Sequence, residues 1–289
     1  MGAAARDQLA AAGRRLTDAG VSSPRVDAEL LLAHLLGVNR SRLLTVADLD
    51  AEQQSRFHAL IALRCQRIPL QHLTGRAPFR HLDLAVGPGV FIPRPETELL
   101  LDLVADALTD ARTVVDLGAG SGAIALAVAQ EFHTGRMIAV ERSVDAIGWL
   151  RRNAEARAAA GDTPIDIIEA DIADPDLLAA ESGTVDVVLS NPPYVPSRLR
   201  PELSVEVGHD PDDAVFAGGD GLALMPAVIA AAARLLRPGG LVAIEQDDSH
   251  ADSVIHLMQA ARQWAAISGH HDLAGRLRFT TAVRLSDAG

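Results

Sequence analysis

The chain is short of several things that mark specialised proteins. Its 289 residues hold one cysteine, Cys65, so no internal disulfide can form, and a reducing, cytoplasmic setting is expected. Cys65 follows Leu60, Ile61 and Leu63 on a helical stretch, which reads as a packed thiol rather than a nucleophile. Aromatic residues make up 3 %, leaving most of the packing to Ala, Leu and Val. Basic side chains are outnumbered, 26 to 38, for a formal charge of −12. That balance disfavours broad binding to a phosphate backbone, so no direct nucleic-acid binding is expected; a folded protein or small-molecule partner suits it better. The longest apolar run, Leu222 to Ala233, is interrupted by Pro226 and falls short of the about 20 residues a membrane span needs. The first residues, Met1 to Arg6, lack the apolar core of a signal peptide. No internal repeat is present. What the chain does have is 48 % hydrophobic residues, enough for a substantial core, and a length that fits two domains.

Residues 1–67 read as a small helical bundle. Leu9 and Leu16 mark a first amphipathic helix. Ser23-Pro24 opens a second, with Leu30, Leu31, Leu35 and Leu36 as its apolar stripe and Gly37 as its stop. Asp50 caps a third that runs to about Arg67 with Phe57, Leu60, Ile61 and Leu63 inward. Such a bundle is either a packing cap or a docking surface for a macromolecular substrate. Residues 68–92 change character: Pro69, Gly75, Pro78, Gly87, Pro88 and Gly89 punctuate them, and Leu82, Leu84 and Val86 alternate at strand period. This predicts a β-hairpin linker. Residues 93–289 form the second domain. A rigid Pro93-Arg94-Pro95 entry, hard to explain as packing alone, leads into a helix through Leu103, Val104 and Leu108. From there strands are predicted near Thr113–Leu117, Arg136–Val140, Ile165–Glu169, Val185–Ser190 and Leu241–Glu245, with helices between them. The alternation predicts a parallel, doubly wound α/β sheet. Two last strands, near Ala265–Ser268 and Arg278–Arg284, are joined too closely for a helical crossover, so they pair antiparallel at one sheet edge.

Candidate ligand residues gather at the strand ends. Asp116-Leu117-Gly118-Ala119-Gly120-Ser121-Gly122 follows the first of these strands and opens a helix, and glycines there let backbone approach a ligand closely. Glu141 ends the next strand, placed to hold a ribose diol. Asp171 and Ile172 follow the third, an acceptor and an apolar surface for an adenine ring. The glycine run also satisfies a dinucleotide pattern, G-x-G-x-x-A, so an oxidoreductase remains a rival. Asp116 argues the other way: a carboxylate aimed into the loop repels a pyrophosphate and suits a sulfonium or ammonium. S-adenosylmethionine fits these carboxylates better.

The fourth strand runs straight into Ser190-Asn191-Pro192-Pro193-Tyr194. Two prolines without N–H groups make a stiff, extended turn whose carbonyls have no ladder partner. Asn191 adds a side-chain acceptor and Tyr194 a flat ring. A planar –NH2 group held by the Asn191 oxygen and the Pro192 carbonyl has its lone pair steered toward an activated methyl, and the charge that develops on nitrogen is stabilised. The sulfonium already supplies a leaving group, so the chemistry needs no metal. His270-His271, without further ligands at fitting spacing, read as loop histidines.

The glycine loop together with Asn191-Pro192-Pro193-Tyr194 resembles the class I S-adenosylmethionine methyltransferases that modify planar nitrogens. A narrower resemblance rests on Pro69-Leu70-Gln71-His72-Leu73-Thr74-Gly75, on Phe91-Ile92-Pro93-Arg94-Pro95-Glu96-Thr97-Glu98 and on Asp272-Leu273-Ala274-Gly275-Arg276. With the helical N-terminal region, these resemble the peptide chain release factor glutamine methyltransferases (PrmC/HemK family), from about residue 5 to 285. The resemblance implies a class I Rossmann-like domain with a seven-stranded, mostly parallel sheet, and N5-methylation of the glutamine in the Gly-Gly-Gln loop of class 1 release factors, with S-adenosylhomocysteine as by-product. It implies that Gly118 to Gly122, Glu141 and Ile172 line the cofactor, that Asn191 touches both ligands, and that Asn191, Pro192, Pro193 and Tyr194 hold the glutamine. Two stretches depart from the family pattern: His209-Asp210-Pro211, for aromatic-Glu-Pro, and Glu245-Gln246-Asp247-Asp248, for Glu-x-Gly. A methyltransferase acting on an exocyclic amine of adenine or guanine, and a non-catalytic cofactor-binding module, are the remaining alternatives.

Overall fold

Leucine at helical spacing builds the first part of the chain, and valine-rich runs build the rest. The computed structural model describes residues 1–132 and 134–286. The chain divides into two units: Met1–Arg76 with Ser204–His209, and Ala77–Leu203 with Asp210–Gly289.

The first unit contains α1 (Ala3–Asp18), α2 (Pro24–Leu36), α3 (Ala51–Cys65) and α4 (Leu70–Thr74). The stops and starts are those the local chemistry dictates. Pro24 sits in the first turn of α2, Gly37 ends it at φ 64°, and Asp50 and Gln53 form a reciprocal capping box on α3. Leu16, Leu31, Leu32, Phe57 and Ile61 are fully buried together. The inward stripe differs from the expected one. Leu32 is fully buried, while Leu30, Leu35 and Leu36 are only partly so, and Leu63 is exposed. On α3 the inner face runs Phe57, Ile61, Arg64, because Arg64 turns inward to pair with buried Asp27 at 2.8 Å. Arg64 and Arg67 also hold Glu206, at 2.9 and 2.6 Å, which binds the 204–209 segment into this unit.

The stretch 68–92 holds α4 and then a hairpin, β1 (Arg76–Phe79) paired with β2 (Leu82–Ala85). Arg80 at its turn bonds Glu131 and Asp102. The expected helix from Pro95 is in fact a 3₁₀ turn at Pro95–Thr97, then α5 (Glu98–Leu103) and α6 (Ala105–Thr109), interrupted where Val104 leaves the helical region at φ −121°.

The remaining elements are β3 (Thr113–Leu117), α7 (Ala123–Glu131), β4 (Arg136–Glu141), α8 (Val144–Ala159), β5 (Asp166–Glu169), β6 (Val185–Ser190), α9 (Asp212–Val215), α10 (Met225–Leu235), β7 (Leu236–Glu245), α11 (Ala251–Ala261), β8 (Trp264–His271) and β9 (Leu277–Arg284). Seven strands form one sheet in the order β5-β4-β3-β6-β7-β9-β8. The pairs among β3 to β7 are parallel, and β9 is antiparallel to both its neighbours, as expected for the edge. The edge strands run longer than the alternation alone indicates. Their loop shrinks to Asp272–Arg276 because the Asp272 carboxylate accepts the Ala274 and Arg276 N–H groups, each at 2.9 Å. Side-chain alternation divides the core between the two faces. Val114 packs with Leu100 and Leu126 on one; Val115, Leu117, Val188 and Ile229 pack on the other. The order of successive strands reverses between β3 and β6, from β3-β4-β5 on one side to β6-β7 on the other, the switch point at which ligands bind in such folds.

Candidate active site

The carboxyl ends of β3, β4, β5 and β6 border a cavity that opens to solvent. Each strand contributes for a local reason. After β3, Gly118 (φ 84°) and Gly120 (φ 56°) turn the chain sharply. The Gly118 and Ala119 N–H groups both donate to the Val140 carbonyl at 2.9 Å, which fastens the loop to β4. A side chain at Gly120 would meet no protein atom within 4 Å. The backbone is therefore bare toward the cavity there. Gly122 (φ 88°) is a glycine for another reason: a Cβ would stand 2.5 Å from Leu150 Cδ1. Asn153 on α8 also shapes the loop, donating to the Ser121 carbonyl at 2.9 Å and exchanging two bonds with Ala85 of the hairpin.

Glu141, at the end of β4, faces the cavity. Its Oε2 accepts the Gly120 N–H, and its Oε1 those of Arg142 and Ser143, all at 2.8 Å. A carboxylate offers about four lone-pair directions, so this one, already oriented by three backbone donors, can take a further hydroxyl. Asp171 is exposed at the rim, accepts the Ala173 N–H at 2.8 Å and lies 3.5 Å from Arg142. Ile172, buried, supplies an apolar wall. A bare glycine backbone, a pre-oriented acid, a second acid and an apolar wall around one cavity fit S-adenosylmethionine.

Asn191 and Pro193 line the same cavity from the end of β6. The Asn191 amide is oriented: Nδ2 donates to the Thr97 hydroxyl at 3.0 Å, leaving Oδ1 for a ligand. Behind it lies a buried acid. Glu245 at the end of β7 is 1 % exposed, and its Oε1 accepts the Tyr194 hydroxyl at 2.9 Å. Arg278 donates to that same hydroxyl at 3.3 Å and pairs with Asp272. Burial pushes the Glu245 carboxyl up to about 7, against the opposing pull of the hydrogen bond from Tyr194 and of the Arg278 charge. Its Oε2 is buried and has no hydrogen-bond partner. Burial likewise raises the Tyr194 phenol.

The structure thus brings Gly118, Ala119, Gly120, Ser121, Glu141, Asp171, Ile172, Asn191 and Pro193 to one cavity. Asp116, Gly122, Tyr194 and the Pro192 ring, which is buried, do not line it. The Asp116 carboxylate does not point into the loop. Strand alternation places it on the face of Val114, beneath α7, where it is 0 % exposed and accepts the Ala125 N–H at 3.2 Å. Burial raises its pKa to about 7. Sequence reasoning assigned no role to Thr97, Glu245, Arg278, Asn153 or Phe91. Phe91 and Thr97 sit inside the run that carries the family resemblance, and Phe91 lines the cavity. The Pro-Arg-Pro entry has a structural partner as well: Arg94 pairs with the buried Asp210, which also accepts the Ile92 N–H at 3.2 Å, and stacks 4.7 Å over Phe91. Among the described residues no His, Cys, Asp or Glu group is arranged to hold a metal, and His270 is bonded to Thr281. No helix among them is long and apolar enough to cross a membrane.

A sheet of this order, with a glycine turn after β3 and an Asn-Pro-Pro-Tyr corner after β6, is the frame of the Rossmann-like methyltransferases. Residues 81–206 match the Methyltransferase small domain family. A methyltransferase from Pyrococcus furiosus shares the fold, with a TM-score of 0.53 at 17 % identity over 80 % of this chain and 100 % of that one. Residues 7–75 match the PrmC N-terminal domain. Release factor glutamine methyltransferases of Mycolicibacterium smegmatis (97 % of this chain and 98 % of that one) and Streptomyces coelicolor (95 % and 96 %) are each 47 % identical to it. The chain belongs to the release factor glutamine methyltransferase family.

Proposed function

We propose that this protein transfers a methyl group to the side-chain nitrogen, N5, of the glutamine in the Gly-Gly-Gln loop of class 1 peptide chain release factors. The observation that carries the reading beyond family membership is the Asn191 amide. Its donor end is committed to Thr97, so its acceptor end faces a ligand. An acceptor is what a carboxamide –NH2 requires. S-adenosylmethionine, when bound, supplies a methyl group on a sulfonium leaving group.

Gly118 to Ser121, Glu141, Asp171 and Ile172 hold that cofactor: Glu141 takes a ribose hydroxyl and Ile172 packs on the adenine. Asn191 Oδ1 accepts one substrate N–H, and the Pro192 carbonyl accepts the other. Holding both N–H groups fixes the amide plane, so the nitrogen lone pair, which stands perpendicular to that plane and is otherwise shared with the carbonyl, faces the methyl group. As positive charge grows on nitrogen, both acceptors stabilise it more than they stabilise the ground state; removal of one such partner typically costs about 10²–10³ in rate. The proton leaves after transfer, so no strong base is required. Tyr194, held by Glu245 and Arg278, stiffens the corner from behind. The helical unit, residues 1–67, serves as the docking surface for the protein substrate, and a cytoplasmic location follows from a partner that works in translation.

The test is incubation of the full chain with a release factor and labelled S-adenosylmethionine, followed by mass spectrometry. One added methyl on a single glutamine is expected. Label transferred to nucleic acid alone would overturn the reading in favour of an adenine or guanine amine.

A further inference from the structure

We infer that Asp210 is a positioning residue that latches two walls of the cavity together and so fixes the opening through which a substrate amide reaches Asn191. This rests on the reading of Asn191 as the acceptor for that amide. Val90, Phe91 and Pro93 line the cavity from one wall, and Pro211, Asp213 and Ala214 from another. Neither wall belongs to the sheet. Pro93 and Pro95 have no N–H, so the strap of residues 91–95 has few donors by which it can be held. One of them, the Ile92 N–H, donates to Asp210 Oδ1 at 3.2 Å. The Arg94 guanidinium donates to Oδ2 of the same carboxylate and lies 4.7 Å over the Phe91 ring. Asp210 thus grips the strap by its backbone and by a side chain, and steadies Phe91 by way of Arg94. It does not line the cavity itself; it precedes Pro211, which does.

The latch completes a ring. The strap leads to Thr97, whose hydroxyl accepts from Asn191 Nδ2 at 3.0 Å. Just past the corner, the Val195 N–H donates to the Val215 carbonyl at 3.0 Å, and the Ala217 N–H to the Val195 carbonyl at 3.1 Å. These bonds join the corner to α9, and from α9 the chain runs back through Pro211 to Asp210 and the strap. Strap, corner and α9 are therefore fastened in a closed circuit beside the acceptor. Two other ion pairs reach the α9 wall, Arg200 with Asp212 at 2.8 Å and Arg142 with Asp213 at 3.7 Å. Their side chains are half or more exposed, and pairs so exposed contribute little. The Asp210 side chain is fully buried. Removing it leaves the Ile92 N–H, also buried, without this acceptor and Arg94 without this counter-charge.

What the latch supplies is order before binding. A wall already in place costs nothing to arrange when the substrate enters. A loose wall must be ordered at that moment, and the cost falls on binding. Loss of the latch should therefore raise KM for the protein substrate more than it lowers kcat. The cofactor, held by the glycine loop and Glu141 at the ends of β3 and β4, should be spared.

The experiment compares the wild type, Asp210→Ala, Asp210→Asn, Arg94→Met and the double variant Arg94→Met with Asp210→Ala, each as full chain with a release factor and S-adenosylmethionine. Asp210→Ala and Arg94→Met should each raise KM for the release factor about tenfold or more, with cofactor affinity by calorimetry within about twofold of wild type. Asp210→Asn, whose amide oxygen still accepts the Ile92 N–H, should recover part of the loss. The double variant should be no worse than Asp210→Ala alone, since both changes open one latch. Hydrogen exchange read by mass spectrometry should quicken in Asp210→Ala across residues 91–97 and 211–217, with β3 and β6 unchanged. An unchanged KM in Asp210→Ala, a cofactor affinity that falls as far as KM rises, additive losses in the double variant, or wild-type exchange in both walls would overturn the inference. Should Asp210→Ala not fold, an unchanged KM in both Asp210→Asn and Arg94→Met would overturn it equally. Failure of the wild type to methylate any release factor would instead overturn the functional reading, and hydrogen exchange would still decide whether Asp210 holds the two walls.

Discussion

At the scale of single residues, neighbouring positions of one motif do different work. Gly120 and Gly122 both have positive φ, yet only Gly122 is closed in by side chains. Gly122→Ala should therefore cost stability, about 1–3 kcal/mol from backbone strain plus overpacking against Leu150, read as a fall in melting temperature. Gly120→Ala should cost about 1 kcal/mol of stability but weaken cofactor binding more, since its Cβ projects into space the ligand needs; calorimetry separates the two. Asn191→Ala should reduce turnover by about 10²–10³ with little effect on melting. Asp116 carries a pH signature. Its folded pKa, about 7, lies above the ordinary 3.8, so its contribution is most favourable below 3.8 and is lost as pH rises through 7. Asp116→Asn should melt higher than wild type at pH 8, and the difference should shrink toward pH 4.

At the scale of elements, the site is made by ends rather than bodies of strands. The valine runs that make β3 and β6 are legible in the sequence because burial on both faces demands continuous apolar, β-branched residues. The turns after them were legible too, through Gly and Pro. The cross-links between elements were not. Asn153 lies ordinarily within α8, yet makes three hydrogen bonds to the hairpin and the glycine loop. Asn153→Ala should cost roughly 2–4 kcal/mol, two or more buried groups being left without partners, and should weaken cofactor binding through Ser121. Chemical unfolding and calorimetry on the same variant give both numbers. Leu63 and Arg64 teach the same lesson in α3. Hydropathy alone favours leucine as the inward residue, but the buried Asp27 carboxylate outweighs it.

At the scale of the whole molecule, the chain returns after the Asn-Pro-Pro-Tyr corner to the first unit, where Glu206 meets Arg64 and Arg67. Despite desolvation, the two arginines hold its carboxyl down at about 2, against an ordinary 4.5. A depressed acid stabilises above its unfolded pKa and loses that contribution as pH falls from about 4.5 toward 2. Acid unfolding monitored by circular dichroism should show this dependence in the wild type and lack it in Glu206→Gln. Nothing in local composition links residue 206 to residues 64 and 67. What the order of amino acids settled alone was whatever depends on neighbours along the chain: helix caps, strand runs, the two stiff turns and, through them, the fold and the family chemistry. What needed three dimensions was which side each polar group faces and what it meets there. Asp116 under α7 and Glu245 behind Tyr194 are the cases in point, because burial and hydrogen-bond direction arise between residues far apart in sequence.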